Sequence, residues 1–477
     1  MLFNLMLLFS ATQKSFGLFS LPIARSIFTK SKAIGRMSSM PSDVSTIVNE
    51  IYQKSPPPRL YICTTGAGGM AISWLMGVPG ASASIQEAIV PYSYPSLENF
   101  SKLDNESFGL CSKSASVSLA EESYKRSLEI SIAEFGLSQS AIERSIGIGC
   151  SAAIASVRPK KGLHRCFISA KNSKGISTFS MNLSKGQRSR IEEEEVVSKL
   201  MIKAIAAASE VNFEGKIGFD LKDGDTMFPT EIDPSEDPLD LLMKGKVEKV
   251  FVLKDEKSGF LDKTLAEIPL PKPSLVLPGS FNPLHEGHIG LLQAAQRCLM
   301  RTENEAKFGK KISKNLPMIF ELAVENADKG TLSKNEVLRR KDQFKEINLT
   351  KSGEIYSLAL TKATLFLQKA RLFPGCVFVV GADTVSRILN PKYYLGGSVA
   401  EMVIAIAEIK YLNCKIIVGG RLKSDKAEFE TLLDILDDSL LPESLRGIFL
   451  GLKEDDFRVD LSSTDLRASN LGIKNSR

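Results

Sequence analysis

The chain has only three histidines, and two of them, His285 and His288, stand three residues apart in "LVLPGSFNPLHEGHIGLL", residues 275–292. A short apolar run leads into a Gly-Ser-Phe-Asn-Pro turn, and a helical pattern begins near His285 to Gly287. In an open α/β sheet such a turn lies at the carboxyl edge of its strand, where ligands bind. The free amides and positive end of the following helix favour phosphate. Histidines three apart on one helical turn can both face that anion, and Gly287 between them removes a side chain that would limit approach. With no Ser or Cys nucleophile paired nearby, the arrangement suits electrostatic work better than covalent catalysis: it can stabilise charge on a transferring phosphate and on departing pyrophosphate. Zinc is the competing reading. Metal-binding histidine pairs on helices usually sit four apart, and here only His164 remains as a further imidazole, so no metal site is expected.

The segment "GSFNPLHEGH" resembles the HxGH signature of the nucleotidylyltransferase superfamily, in the form met in nicotinamide and nicotinate mononucleotide adenylyltransferases. "LSSTDLR" (461–467) is similar to that family's late ISSTxLR-type element. "VFVVGADTV" resembles its strand ending in Gly-Ala-Asp, and "NADKGTLSKNEVLRR" its basic loop and helix. "LTKATLFLQKA" and "VGGR" also fit, and the likeness spans about 274–472. It implies an enzyme that transfers AMP from ATP to the phosphate of nicotinamide or nicotinate mononucleotide, releasing pyrophosphate, with Mg²⁺ accompanying ATP. His285 and His288 would then bind the triphosphate and stabilise the transition state. Gly279, Ser280 and Phe281 would supply amides and packing around ATP, Ser463 and Thr464 would hold β and γ oxygens, and Arg467 would add a charge-assisted contact. Asp383, beside Gly381, would meet a ribose, and Lys329 the acceptor phosphate. For Lys329 and Arg340 ordinary surface charge explains the residues equally well. HxGH chemistry is shared more widely than any acceptor pocket, so phosphopantetheine, cytidylyl transfer from CTP, or a noncatalytic nucleotide sensor stay open.

Further upstream, "TTGAGGMAISWLMGVPGASASIQEAIVPYSY" (64–94) resembles the C-terminal domain of competence-damage-inducible (CinA) proteins, the nicotinamide-nucleotide amidase family, with the likeness spanning about 48–208. "VPGAS", "PYS" and "KGQRSRIEEEE" keep that pattern. The ESCTGG turn does not survive: with Gly68 and Gly69 aligned, Thr65 stands at the family's serine, Thr64 at its glutamate, Gly66 at its cysteine, and Leu97 at its later lysine. A hydroxyl without a neighbouring base or cation is a poor nucleophile. The expectation is an amidase-like fold without amidase chemistry, serving ligand sensing or homo-oligomerisation, with a bifunctional amidase and adenylyltransferase as the weaker alternative, although the Gly-rich turn could still hold phosphate.

These sites need elements to carry them, and the apolar pattern supplies candidates. Strands are expected at "LYICTT", "SIGIGC", "HRCFISA", "ISTFSMNLS", "SLVLPG", "PMIFELAV", "IYSLALT", "CVFVVGAD", "KIIVGG" and "FRVDL", with helices between them. Apolar runs without strict alternation, separated by helices, imply a parallel sheet covered on both faces. The fold class is therefore α/β: a Rossmann-like parallel-sheet domain over 274–477, preceded by a separate α/β domain over 43–210. Residues 211–273, acidic turns around a strand-like "VEKVFVL", read as a connector with some structure of its own. In "RIEEEEVVSKLMIKAIAAASE" the apolar residues recur at helical spacing, and the glutamate run reads as a solvated first turn that suits the helix dipole.

At 477 residues the chain is long enough for two or three domains. Five of its 61 basic residues fall within 1–42, before the first acid, Asp43, so the rest is near balance against 55 acids. That leaves no electrostatic footprint for nucleic acid. No uncharged apolar run reaches the ~18 residues of a membrane span. The acid-free, Ser-rich leader over 1–42 resembles a mitochondrial or plastid transit segment, with a start at Met37 or Met40 and a cytoplasmic protein as the alternative, and secretion last. Seven scattered cysteines without a CxxC pair argue for reduced thiols.

Overall fold

The computed structural model describes residues 40–101, 110–158, 161–254, 261–266, 268–301, 316–326, 330–346, 356–422, 429–430, 432–437 and 439–457. Residues 1–39, the expected strand at 457–461 beyond Phe457, and the segment 461–467 lie outside them.

The first sheet is built from β1 (Arg59–Thr65), β2 (Ile85–Ile89), β3 (Ser145–Ala153), β4 (His164–Asn172), β5 (Gly175–Leu183), β6 (Thr226–Met227) and β7 (Glu231–Pro234). Its order is β2-β1-β3-β4-β5-β6, with β7 also on β5. β1 runs parallel to β2 and β3, and the remaining pairs are antiparallel. The Lys113–Phe135 helix lies so close to β3 that a Cβ at Gly147 or Gly149 would fall within 2.5 Å of its backbone. These two strand glycines are therefore spacers that let helix meet sheet.

The second sheet comprises β8 (Lys249–Lys254), β9 (Leu261–Ala266), β10 (Leu275–Pro278), β11 (Met318–Ala323), β14 (Tyr356–Thr361), β15 (Val377–Gly381), β16 (Lys415–Gly419) and β19 (Phe449–Gly451). Two-residue hairpins, β12 (Glu325–Asn326) with β13 (Gly330–Thr331) and β17 (Arg421–Leu422) with β18 (Phe429–Glu430), stand outside it. The order is β19-β16-β15-β10-β11-β14-β8-β9. From β19 to β14 all neighbours are parallel, while β8 and β9 add an antiparallel hairpin at the edge. This is a Rossmann-like α/β sheet, and its central strands are apolar on both faces, as the unbroken runs "LVL", "MIF" and "VFVV" require.

The stretch read as a connector is built into both sheets. Its β6 and β7 extend the first sheet, whereas β8 and β9 complete the second. The two sheets are also not insulated from one another. Leu128, Ile132, Leu137 and Ile142, from the helical face of the first, share a core with Phe251, Leu253, Ile268 and Phe378 of the second. The described residues from Asp43 onward accordingly form one unit. Among them no helix is long and apolar enough to cross a membrane. All seven cysteines are free thiols, and six are buried.

Candidate functional site

In the second sheet the chain leaves β10, pairs β11 and β14 on one side, and then returns to place β15 on the other. The crevice outside the carboxyl ends of β10 and β15 is thus the topological switch point, the ordinary ligand site of such sheets. Gly279 follows β10 there, and Gly381 ends β15.

The turn after β10 is rigidly held. Phe281 is fully buried and adopts φ 44°, an unusual angle for a bulky residue. Its ring meets Phe320, Phe344 and His288 edge-on at 5.6, 5.4 and 5.1 Å. A Cβ on Gly279 would sit 2.5 Å from that ring, so the glycine makes room for Phe281. The Gly279 amide donates to the Glu321 carbonyl at 2.9 Å. Gly279 therefore does not offer ATP a free amide, contrary to the sequence expectation, because that amide continues the β10–β11 ladder.

His285 is the N-cap of the Glu286–Leu299 helix, with extended backbone at φ −147° and ψ 167°, rather than a residue of its first turn. The two imidazoles are brought together all the same, with ring centroids 3.9 Å apart and planes tilted by 36°. The His288 amide donates to the His285 carbonyl at 3.0 Å, and the His285 amide donates to Nδ1 of His288 at 3.3 Å. Burial lowers both imidazoles below their ordinary value. His288 falls to about 3, through desolvation first and the neighbouring His285 second. Gly287 is buried between them.

One helix, Lys334–Glu346, clamps this turn, and sequence reasoning credited it with little beyond surface charge. Gln343 donates to the Phe281 carbonyl and accepts from the Leu284 amide, both at 3.0 Å. Arg340 donates to the Ser280 carbonyl at 3.0 Å, and Arg339 to Asn282 at 2.8 Å. Glu336 fixes both guanidiniums, at 2.7 Å to Arg340 and 2.8 Å to Arg339. The only signal in the sequence was the spacing 336, 339, 340, 343, which puts four polar residues on one helical face.

Beside the turn opens a cavity of about 900 Å³. Gly279, Ser280 and Arg340 line one part, and Thr384, Arg387, Tyr393, Tyr394 and Ile404 another. Two further cations on its wall are already neutralised. Lys369 meets both carboxylate oxygens of Glu321 at 2.8 Å, and Arg371 meets Glu408 at 2.6 and 2.8 Å. Asp383 is exposed in the first turn of the Ala382–Ile388 helix. A Cβ on Gly381 would meet open space, so packing does not demand this glycine. Lys329, Ser463, Thr464 and Arg467 lie outside the described residues.

The Gly-rich turn after β1 is assembled differently. Thr64 is buried, with its hydroxyl donating to the Ala67 carbonyl, and Thr65 is half-buried. Gly66 and Gly68 take φ +88° and +99°, and a Cβ on Gly66 would overlap the Ala152 carbonyl. One carboxylate oxygen of Glu194 accepts from the amides of Gly68 and Met70 at 2.9 and 3.2 Å. The start of the Gly69–Met76 helix, where phosphate was an option, thus already holds an anion from the chain itself. The glutamate run is a solvated turn only in part: Glu192 is exposed, but its neighbours turn inward. Glu193 is fully buried, receiving the Ala155 amide at 2.6 Å and standing 2.8 Å from Nδ1 of His164. Orphan amides at chain turns attract carboxylates strongly enough to draw these two inward.

No family model matches the chain. A Schizosaccharomyces pombe protein named "Putative nicotinamide mononucleotide adenylyltransferase" is 29% identical over 182 residues, 36% of this chain and 63% of that protein. The chain therefore spans less than two thirds of the length of this curated relative. Among solved structures, a competence/damage inducible protein from Agrobacterium tumefaciens matches 36% of this chain and 99% of its own at 16% identity and a TM-score of 0.28. A CinA superfamily protein from Enterobacter cloacae matches 37% and 98% at 15% identity and a TM-score of 0.27. Likenesses of that size assign neither activity nor partner.

Proposed function

We propose that the chain is a nucleotidyltransferase that transfers AMP from ATP to the phosphate of a nicotinamide-type mononucleotide, in NAD biosynthesis. The observation that carries this reading is the His285–His288 pair at a helix start, on the switch-point edge of a parallel sheet. The name of the S. pombe relative supports the acceptor class.

In this reading the triphosphate lies over the start of the Glu286–Leu299 helix, where amides and imidazoles converge. Nδ1 of His288 accepts a backbone hydrogen bond, so a neutral ring carries its proton on Nε2 and can donate it to a phosphoryl oxygen. The acceptor occupies the cavity beside Ser280, with Arg387 as the cation for its phosphate, Arg340 holding the Ser280 carbonyl in place, and Tyr393 and Tyr394 on the wall around its ring. The acceptor phosphate is already ionised and needs no general base to attack the α-phosphorus in line. Positioning and charge stabilisation supply the rate. No group of three or more His, Cys, Asp or Glu among the described residues could hold a metal ion. Mg²⁺ fits this site as part of the Mg–ATP substrate, neutralising triphosphate charge, with no protein ligand assigned. The N-terminal domain serves in this reading as a noncatalytic module, and residues 1–42 as an organelle-import leader.

The test incubates protein from Met40 onward with Mg-ATP and, separately, nicotinamide mononucleotide, nicotinate mononucleotide or no acceptor. Dinucleotide and pyrophosphate are quantified together, with His285→Ala as control. Dinucleotide that the control abolishes is the expected result. ATP binding without product from either acceptor overturns the acceptor assignment.

A further inference from the structure

A second cavity, of about 840 Å³, lies at the seam between the two sheets and away from the histidines. Its walls come from the Lys113–Phe135 helix (Tyr124, Leu128), the end of β4 (Lys171, Asn172), the end of β7 and the segment after it (Pro234 to Leu241) and Ile268 beyond β9. The size is that of a small-molecule site, and an apolar and aromatic floor of Tyr124, Leu128 and Ile268 is set within a wall that is otherwise largely polar and charged.

The charges on this wall are nearly all satisfied from within. Lys125 pairs with Glu122 at 2.8 Å, and Lys174 with Glu210. Glu236 is held by Lys244 and Lys246 at 3.3 and 2.7 Å, and Asp237 by Lys334 at 3.5 Å. Lys171 is different. It is half-buried, its ammonium lies 5.9 Å from the centre of the Tyr124 ring, and its hydrogen bond to the Ser235 hydroxyl is long, at 3.5 Å. Among the described residues no carboxylate reaches it within ion-pair distance; Glu121, exposed on the same cavity wall, acts on it from further away. Burial accordingly lowers its pKa. A desolvated cation without an anion is costly, and an anion entering the cavity removes that cost.

We propose that this seam cavity binds a small anion carrying a flat or apolar body, with Lys171 taking its phosphate or carboxylate and the Tyr124–Leu128–Ile268 wall its body. The walls belong to both domains, so the occupant contacts the amidase-like part and the edge of the transferase sheet together.

Acetylation rates of individual lysines, read by peptide mass spectrometry on the full protein, test this without a variant at the site. The probes are AMP, inorganic phosphate and benzoate. AMP at saturation is expected to slow acetylation of Lys171 about ten-fold, in proportion to occupancy, while Lys410 is unchanged. Protection by phosphate or benzoate alone also supports the site and identifies the anion as the recognised part. The same measurement on a His285→Ala, His288→Ala protein separates the two cavities. Protection that persists there supports the seam site, and protection that vanishes there overturns it, as does a Lys171 rate that none of the three probes alters.

Discussion

The backbone N–H of His285 donates to Nδ1 of His288, 3.3 Å away, so one histidine's main chain fixes the other's tautomer. The consequence is a defined donor at Nε2 of His288. His288→Ala removes that donor and the ring packed edge-on to Phe281. Its kcat should fall by about 100-fold or more, the usual loss for one charge-stabilising donor. His288→Asn keeps an acceptor for the His285 amide and should leave melting close to wild type while turnover is still lost. An Asn variant that retains wild-type turnover would remove His288 from the proposed chemistry.

The same ring makes stability depend on pH. Its folded pKa of about 3 lies below the ordinary value of 6.5, and His285 is lowered in the same direction. Between about pH 3 and 6.5 the unfolded chain therefore binds more protons than the folded one, so stability rises with pH across that window and levels off above it. Thermal melting followed from pH 7 down to 4.5 should show Tm falling by at least about 3 °C. His288→Asn should flatten that slope. An unchanged slope in the variant would place the titration elsewhere.

Gln343 offers a test of positioning. Its amide satisfies the Phe281 carbonyl and the Leu284 amide, two backbone groups of a turn that holds Phe281 at positive φ. Gln343→Leu leaves both without this partner, at a cost of about 1–3 kcal/mol. Because Gln343 is assigned no contact with substrate, the expected signature is a higher KM for ATP, with a Gln343→Glu variant restoring only the half that needs an acceptor. Steady-state kinetics with ATP varied at fixed acceptor would distinguish this from a purely structural loss, which lowers Tm and leaves KM alone.

Much of the framework was legible because buried parallel strands advertise themselves. "LVL", "MIF", "VFVV" and "KIIV" are uninterrupted apolar runs, and each is a strand of the second sheet. The histidine pair was legible for a similar reason, since a strand, a Gly turn and a helix start in that order have one usual geometry. What escaped was long-range polar pairing. Nothing near Glu193 or Glu194 in sequence announces Ala155, His164 or Gly68 as partners, so local periodicity assigned both carboxylates to solvent. The connector escaped likewise, because whether "VEKVFVL" edges one sheet or another depends on the strand it meets, Tyr356–Thr361, more than 100 residues later.

Lys369 is the sharpest instance of that hidden pairing. Its ammonium lies 2.8 Å from each oxygen of Glu321 and 2.9 Å from the Ala363 carbonyl, so all three of its protons are engaged. Glu321 is fully buried and also receives the Thr361 hydroxyl. Although Lys369 lines the cavity assigned to the acceptor, it has no proton left for a ligand phosphate. Its contribution is to stability. Lys369→Met strands a buried carboxylate and should cost about 3–5 kcal/mol, whereas Lys369→Met combined with Glu321→Gln removes both charges and should recover part of that loss. Denaturant melts of the two variants beside wild type read the difference, and KM for the mononucleotide, measured on whichever variant folds, should change less than two-fold. A Lys369→Met protein with wild-type stability and a strongly raised acceptor KM would reverse this assignment and make Lys369 a phosphate ligand.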